Sequence, residues 1–458
     1  MFRLFVLFVC LSASFATNEP LNWADVTATR LVSCFYDDLN GKWKNELAWQ
    51  SGNTLESLAN FISIVDSPLK YIFHETFVKT DMYVGGDCFD EWQWWLLAWL
   101  QAYSVDSNLD YLHRAAQAYE ADVTKAWNPS ICNGGIQWCP KNAYKNAITN
   151  ELFLVASMRL HPYATLVGKP ANYYLDWAIK EWQWFEQSGM INKQFLINDG
   201  LNSPSCENNQ QTTWTYNQGV ILSGLGLLAN ATGNSSLLAI AQNIADATIQ
   251  YLTYSGQFLR EPCEPNCDND QKLFKGIFIR HLSYLLRYLT DSIHIEKYQK
   301  FIEANAQSLW SNNRCVTDGT FGITWNNQTS TQCDANRDTS STSSAFDLFI
   351  SAAQVQSTTS TRWILLGQGN CADDNNDSMP NFFSDKVNEN VCRQTAEGDQ
   401  GSAAYDFELK CNGETFCRIR TLSDQSKTPA GFQYGGGNAR TVTQTNKEGL
   451  TNCFLKTE

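Results

Sequence analysis

From Trp92 onward the apolar positions Trp92, Trp95, Leu96, Trp99, Leu100 and Tyr103 recur at i, i+3, i+4, i+7, i+8 and i+11, along one face of a three-turn helix. The other faces of that segment are apolar as well, so it is predicted to be buried on most sides. A second helix follows over 108–127, and the pairing recurs as 147–160 with 173–187, 216–231 with 235–254, and 276–289 with 292–310, a repeat of roughly sixty residues. In each pair the first member is rich in glycine, tryptophan or amides near its start, and the second is amphipathic with alternating charge. That difference is expected between an inner and an outer ring of helices. Segments 25–38, 55–65 and 342–353 supply further helices, and the fold class predicted is an all-α toroid of paired helices.

The pattern breaks after Gln354, where Ser, Thr, Gln and Asn take over. From Trp363 the chain is glycine-rich, poor in helix formers and holds five cysteines. These changes predict a helical domain over 23–355, a linker over 356–362 and a small, disulfide-rich, β or irregular domain over 363–458. Residues 1–16 hold Arg3, an apolar run from Leu4 to Leu11 and small residues ending at Ala16, the layout of a cleaved secretory signal. No later run is long and apolar enough to span a bilayer, and the C-terminus lacks the hydrophobic tail of a lipid-anchor signal. The mature protein is therefore expected to be secreted.

Export changes the reading of the cysteines. Of the 15 in the chain, Cys10 lies in the signal, leaving an even number that is expected to form disulfides. Nine fall in the helical domain and five in the tail, so either each part keeps one free thiol or one bridge joins them. Cys263 and Cys267 have no second ligand pair beside them in a chain with 5 His, so no metal site is expected. Asn230, Asn234, Asn327 and Asn376 each open an Asn-x-Ser/Thr acceptor, as befits an exported chain. With 33 Lys and Arg against 47 Asp and Glu, the net charge of -14 disfavours nucleic acid as a partner. The 16 Trp are numerous enough to serve sugar stacking as well as core packing.

The loop ending Gly86-Asp87-Cys88-Phe89-Asp90-Glu91 runs into the tryptophan-rich helix and sets two adjacent carboxylates at its N-terminus. Retaining glycosidases need such a pair about 5 Å apart, one as nucleophile and the other as acid/base. Adjacent Cα atoms are about 3.8 Å apart, so neighbouring side chains reach that separation. An acidic first turn equally serves as a plain cap. Trp92 and Trp94, beside the acids, fit stacking against a sugar, whereas Trp95 and Trp99, deeper in the helix, fit the core. Tyr144-Lys-Asn-Ala-Ile-Thr-Asn-Glu151, Ile197-Asn-Asp-Gly200, Thr212-Thr-Trp-Thr-Tyr-Asn-Gln218 and Lys275-Gly276 place amides, hydroxyls and charges at the starts of other inner helices. Taken singly, Asn146 and Asn150 serve as helix caps and Asp199-Gly200 as a turn equally well.

Taken together and in order, Asp90-Glu-Trp-Gln-Trp-Trp-Leu-Leu-Ala-Trp99, Tyr144 to Phe153, Asn198-Asp-Gly-Leu201, Thr213 to Val220 and Phe274-Lys-Gly-Ile277 resemble glycoside hydrolase family 76. The resemblance covers roughly 23–355. It implies an (α/α)6 toroid, cleavage of α-1,6-linked mannan with retention, and no cofactor. The family's pair is two adjacent aspartates, nucleophile first and acid/base second; the first position here is Asp90 and the second is Glu91. Asn150, Glu151, Asp199, Trp214, Tyr216, Asn217, Gln218 and Lys275 are implied as groove residues, with Asp199 and Tyr216 foremost. The tail is loosely similar to apple or PAN modules. The expected activity is that of a monomeric, secreted α-1,6-mannosidase acting on mannan or mannose-containing glycans. Two alternatives stay open: a cell-wall mannan transglycosidase of the same fold, and a non-catalytic mannan-binding relative carrying Glu91 in place of aspartate.

Overall fold

The computed structural model describes residues 19–81, 86–120, 124–326 and 333–356 with their side chains, and beyond them the backbone of the strands between Trp363 and Lys456. The signal segment, Asn327, Asn376 and nearly all of the linker lie outside the described residues. The helices are α1 Glu19–Arg30, α2 Ala48–Ile62, α3 Tyr71–Lys79, α4 Phe89–Asp106, α5 Leu109–Ala118, α6 Ala147–Leu160, α7 Tyr173–Gln187, α8 Thr215–Thr232, α9 Ser236–Tyr251, α10 Phe274–Leu286, α11 Ser292–Asn312 and α12 Thr339–Val355.

Each even-numbered helix packs on the next and α12 closes the circle on α2. Outside this ring α5, α7 and α9 lie against α4, α6 and α8, and both α11 and α1 lie against α12. α3 joins the outer layer through Phe77, whose ring meets Trp99 edge-on at 5.4 Å. The architecture is an (α/α)6 barrel, with inner and outer rings divided as the sequence pattern predicts. Inner helices are surrounded by helices, which is why α4, α6 and α12 carry apolar or small residues on every face. Two glycines permit the closest approaches. A Cβ on Gly219 of α8 would stand 2.5 Å from the Phe278 Cα of α10, and one on Gly276 of α10 would stand 2.6 Å from the Ser344 Cα of α12.

The barrel centre is polar. Arg280 of α10 lies 3.6 Å from Glu56 of α2 and 3.3 Å from Asp347 of α12, and Arg159 of α6 reaches Glu56 at 2.7 Å. Burial pushes the Asp347 carboxyl up to about 6 against the pull of Arg280. These ion pairs tie four inner helices together below the mouth.

The chain departs from its sequence pattern at four places, one of them α2, which runs Ala48–Ile62 and not 55–65. The N-terminal helix runs earlier than 25–38 and ends in a π-helical turn over Leu31–Phe35, where the chain reverses through Tyr36–Asp37 paired with Lys42–Trp43. Of the helix expected over 108–127, Leu109–Ala118 is α-helical, Tyr119 and Glu120 are π-helical, 121–123 lie outside the described residues, and Thr124–Ala126 is a 3-10 turn. α3 was absent from the expectation because its nine residues leave Tyr71 and Val78 exposed, so its apolar positions trace no single stripe.

Four disulfides, Cys88–Cys139, Cys132–Cys206, Cys263–Cys267 and Cys315–Cys333, staple loops of the barrel. Cys34 is also disulfide-bonded. Asn230 and Asn234, at the end of α8, are exposed. In the tail, a six-stranded antiparallel sheet runs in the order Gln433–Gly435, Asn381–Ser384, Thr415–Thr421, Ser402–Leu409, Asn452–Lys456, Trp363–Gln368. No helix among the described residues is long and apolar enough to cross a membrane.

Candidate active site

The starts of α2, α4, α8 and α10 meet at one mouth of the barrel. At the start of α4, Cys88 is the N-cap, and Glu91 Oε2 accepts the Cys88 N–H at 3.2 Å in a capping box. Gly86, at φ +108°, lets the loop turn under Glu91, because a Cβ there would collide with the Glu91 carboxylate. Asp90 Oδ1 accepts the Glu91 N–H at 3.1 Å, and its Oδ2 accepts Trp138 Nε1–H at 3.1 Å. Trp138 is fixed in turn: its carbonyl accepts the Phe89 N–H at 2.9 Å, and the neighbouring Cys139 is bonded to Cys88. The loop that holds Asp90 is thus strapped to the helix that carries it.

Burial and the Glu91 charge push Asp90 up to about 7, opposed by the Trp138 hydrogen bond. Burial raises Glu91 as well, with Asp270 and Asp87 adding to the effect and the Cys88 N–H opposing it. Both carboxyls are therefore biased toward holding a proton.

The pair opens on a cleft of about 250 Å³. Trp49, Trp94, Tyr216 and Phe274 line it with aromatic surface: Trp49 and Trp94 have centroids 5.8 Å apart, and Tyr216 stacks on Phe274 at 3.8 Å and 11°. Asp270 stands on the same cleft, its Oδ1 accepting Trp49 Nε1–H at 2.9 Å. No lysine, arginine or histidine is among the lining residues. Carboxylates over aromatic faces and no cation repel an anionic ligand and suit a neutral polyhydroxyl ring.

Of the residues expected here, Asp90, Glu91, Trp94 and Tyr216 share this cleft. Trp92 lines a neighbouring one of about 370 Å³ with Phe89, Trp127 and Gln137, and its indole donates to the Gly86 carbonyl at 2.6 Å. Asp199 accepts from Tyr144 Oη at 2.5 Å and stands near Trp214, to one side of the cleft. Trp214 meets Phe274 edge-on at 5.8 Å. Glu151 and Asn217 are fully buried, and burial beside Asp199 pushes Glu151 well above the carboxylate range.

Three expected groove residues are committed to backbone and loop packing instead. Asn150 clasps Ile136, accepting its N–H at 2.6 Å and donating to its carbonyl at 3.0 Å; Gln218 does the same to Ile197 at 2.7 and 2.8 Å. The Lys275 ammonium, 3% exposed, pairs with Glu264 at 2.5 Å and donates to the Ile323 carbonyl at 2.5 Å. Neither Asn146 nor Asn150 caps α6, since Asn146 makes no side-chain cap bond there. Trp49, Trp138, Asp270 and Phe274 were not expected. Phe274 belongs to the quoted Phe274-Lys-Gly-Ile277 string and Asp270 stands four residues ahead of it, but no local pattern marks Trp49 or Trp138.

A closed (α/α)6 barrel with adjacent carboxylates above stacked aromatics at its mouth is the framework of a glycoside hydrolase. The chain matches the model of Glycosyl hydrolase family 76 over residues 31–362 and belongs to that family. A Schizosaccharomyces pombe relative, named provisionally as a mannan endo-1,6-alpha-mannosidase, is 30% identical over 228 residues, 47% of this chain and 50% of its own length. The Candida albicans mannan endo-1,6-alpha-mannosidase DFG5 is 28% identical over 223 residues, 46% of this chain and 48% of its own. The aligned stretch thus spans about half the length of these curated relatives. Among solved structures, an inactive variant of the alpha-1,6-mannanase GH76A of Salegentibacter, in complex with alpha-1,6-mannotetrose, has the same fold. It superposes with a TM-score of 0.65 at 21% identity, over 74% of this chain and 99% of that one.

Proposed function

We propose that this protein is a secreted glycosidase that cleaves α-1,6-mannosidic linkages of mannan with retention of configuration. The observation that carries this reading is the placement of Asp90 and Glu91 together on one aromatic cleft free of cationic lining. The substrate class comes from the relatives, which are named for endo-1,6-alpha-mannosidase activity. It also comes from the structural neighbour, whose inactivating changes replace two adjacent aspartates.

In the first step the Asp90 carboxylate attacks the anomeric carbon, the bond to the glycosidic oxygen breaks, and the Glu91 carboxyl gives its proton to the leaving oxygen. In the second, Glu91 takes a proton from water, the resulting hydroxide displaces Asp90 from the anomeric carbon, and a product of retained configuration leaves. The Trp138 and Glu91 N–H donors stabilise the Asp90 anion, and the raised Glu91 suits a proton donor. Interception by a sugar hydroxyl in place of water gives transfer through the same intermediate.

One rival has an observation of its own. Glu91 spends an acceptor on the Cys88 N–H, which fits a mannan-binding member whose second carboxylate serves only the helix cap. Incubating the purified protein with α-1,6-mannan and following released sugars by NMR separates these readings. Hydrolysis yields short products in the α form that Asp90→Asn abolishes; transfer yields products longer than the substrate when acceptor is abundant. Binding without product, with Asp90→Asn indistinguishable from wild type, would defeat the enzymatic reading.

A further inference from the structure

Asp270 carries no role in the two-step chemistry, yet it is built into the reacting cleft. Its loop is held from two sides: Gln50 Nε2 donates to the Asn269 carbonyl at 2.6 Å, and Cys263–Cys267 closes the turn just before it. The Asp268 side chain accepts the Asp270 N–H at 3.1 Å, which orients the residue as it leads into the turn Gln271–Leu273 and α10. Trp49, itself part of the aromatic lining, fixes one carboxylate oxygen, while Oδ2 accepts no hydrogen bond from any described residue. Asp270 lines the same cleft as Asp90 and Glu91, beside Trp49 and Trp94, where a bound ring would lie. An ionised carboxylate is an acceptor only, and a sugar offers donors in its hydroxyls.

We propose that Asp270 is a specificity-determining residue of this site: its anchored carboxylate accepts hydrogen bonds from hydroxyls of the mannosyl ring bound at Asp90 and Glu91. The inference rests on the mannan reading given above. Its charge has a second consequence, since it adds to the forces that keep Glu91 protonated. A bond from a hydroxyl to a charged acceptor contributes about ten- to a hundredfold in affinity.

The test uses the full secreted chain carrying Asp90→Asn, so that ligand is not consumed. Calorimetry measures binding of α-1,6-mannotriose and its monodeoxy analogues, with and without Asp270→Ala or Asp270→Asn. The expected result is a ten- to hundredfold weakening of mannotriose by Asp270→Ala, a smaller one by Asp270→Asn, and one deoxy position whose penalty disappears in Asp270→Ala. Asp270→Asn keeps an acceptor for Trp49, so an unchanged melting temperature shows that the loop is intact. Undiminished affinity in Asp270→Ala, or an equal loss for the parent and every analogue, overturns this inference and leaves the mannan reading standing. No binding of any mannoside with Asp270 present refutes the mannan reading and this inference with it.

Discussion

Replacing Asp90 with asparagine should stabilise the protein while removing the nucleophile. Burial and the Glu91 charge hold the folded carboxyl near 7, whereas an unfolded aspartate titrates at its ordinary value of 3.8. An acid whose pKa is raised on folding is bound more tightly by protons in the native state. It is therefore neutral in its effect below about pH 4 and increasingly destabilising as pH rises from 4 to 7. Every tenfold gain in proton affinity is worth about 1.4 kcal/mol, so the rise from 3.8 to about 7 sets an upper bound of roughly 4 kcal/mol above pH 7. The carboxyl is partly open to the cleft, and water screening reduces this to about 1–2 kcal/mol. Asparagine keeps a carbonyl for Trp138 Nε1–H and leaves the loop strap in place. Thermal unfolding of wild type and Asp90→Asn from pH 4 to 8 should show curves that coincide at pH 4 and separate by a few degrees at pH 8, the variant melting higher. A difference that stays constant with pH, or a less stable variant at pH 8, would refute the electrostatic reading of the site.

Four further outcomes are expected. Glu91→Gln should lower kcat on α-1,6-mannan by about 10²–10⁴-fold, and by much less in the glycosylation step of an aryl mannoside whose leaving group needs no proton; equal losses on both would remove Glu91 as the acid. The active pair carries one proton, and the rise of Asp90 to about 7 already includes the Glu91 charge, so kcat/KM should fall through about 7 as the pair loses its last proton; a profile flat from pH 5 to 8 would contradict that assignment. Opening Cys88–Cys139 with Cys88→Ser and Cys139→Ser releases a cross-link spanning 51 residues, which should cost about 3–4 kcal/mol in denaturant unfolding and depress kcat through the freed Trp138 loop. Lys275→Met leaves Glu264 buried without its cation and should cost about 3–5 kcal/mol, most of it recovered by adding Glu264→Gln; a single variant as stable as the double one would show that the pair is not coupled.

The barrel was legible because inner and outer helices obey different burial rules, and those rules write different patterns. α4 reads as apolar on all sides and α9 as amphipathic, so the ring and its jacket could be told apart before any contact was known. The residues at the mouth were less legible. Asn150, Gln218 and Lys275 stand at the starts of inner helices like Asp90 and Tyr216, and their amides and charge are as suited to a sugar as to a backbone. What decides is the loop each one faces: Ile136, Ile197 and Ile323 present backbone groups that must be satisfied once buried, and these side chains satisfy them. Trp138 and Trp49 enter the site from the loop before α6 and from the start of α2. Their partners, Asp90 and Asp270, are 48 and 221 residues away, so no local spacing could single them out among the other tryptophans.

Glu91 shows the same ambiguity within one residue. At the third position of α4 a glutamate completes a capping box with the Cys88 N–H, and the helix would favour it there with no substrate in view. The same carboxylate lines the cleft beside Asp90, where a proton donor is needed. An aspartate in its place is one methylene shorter, so the choice between the two residues sets how far the carboxyl extends from the helix as well as how it caps. Because Asp90 is fixed by Trp138 and the backbone, it cannot shift to compensate, and a displacement near 1 Å at the leaving oxygen can change the rate about a hundredfold. The comparison of Glu91→Asp with wild type therefore reads where catalysis needs the carboxyl. A faster variant means the glutamate overreaches the glycosidic oxygen, whereas a slower one means the cleft has been reshaped around the longer side chain.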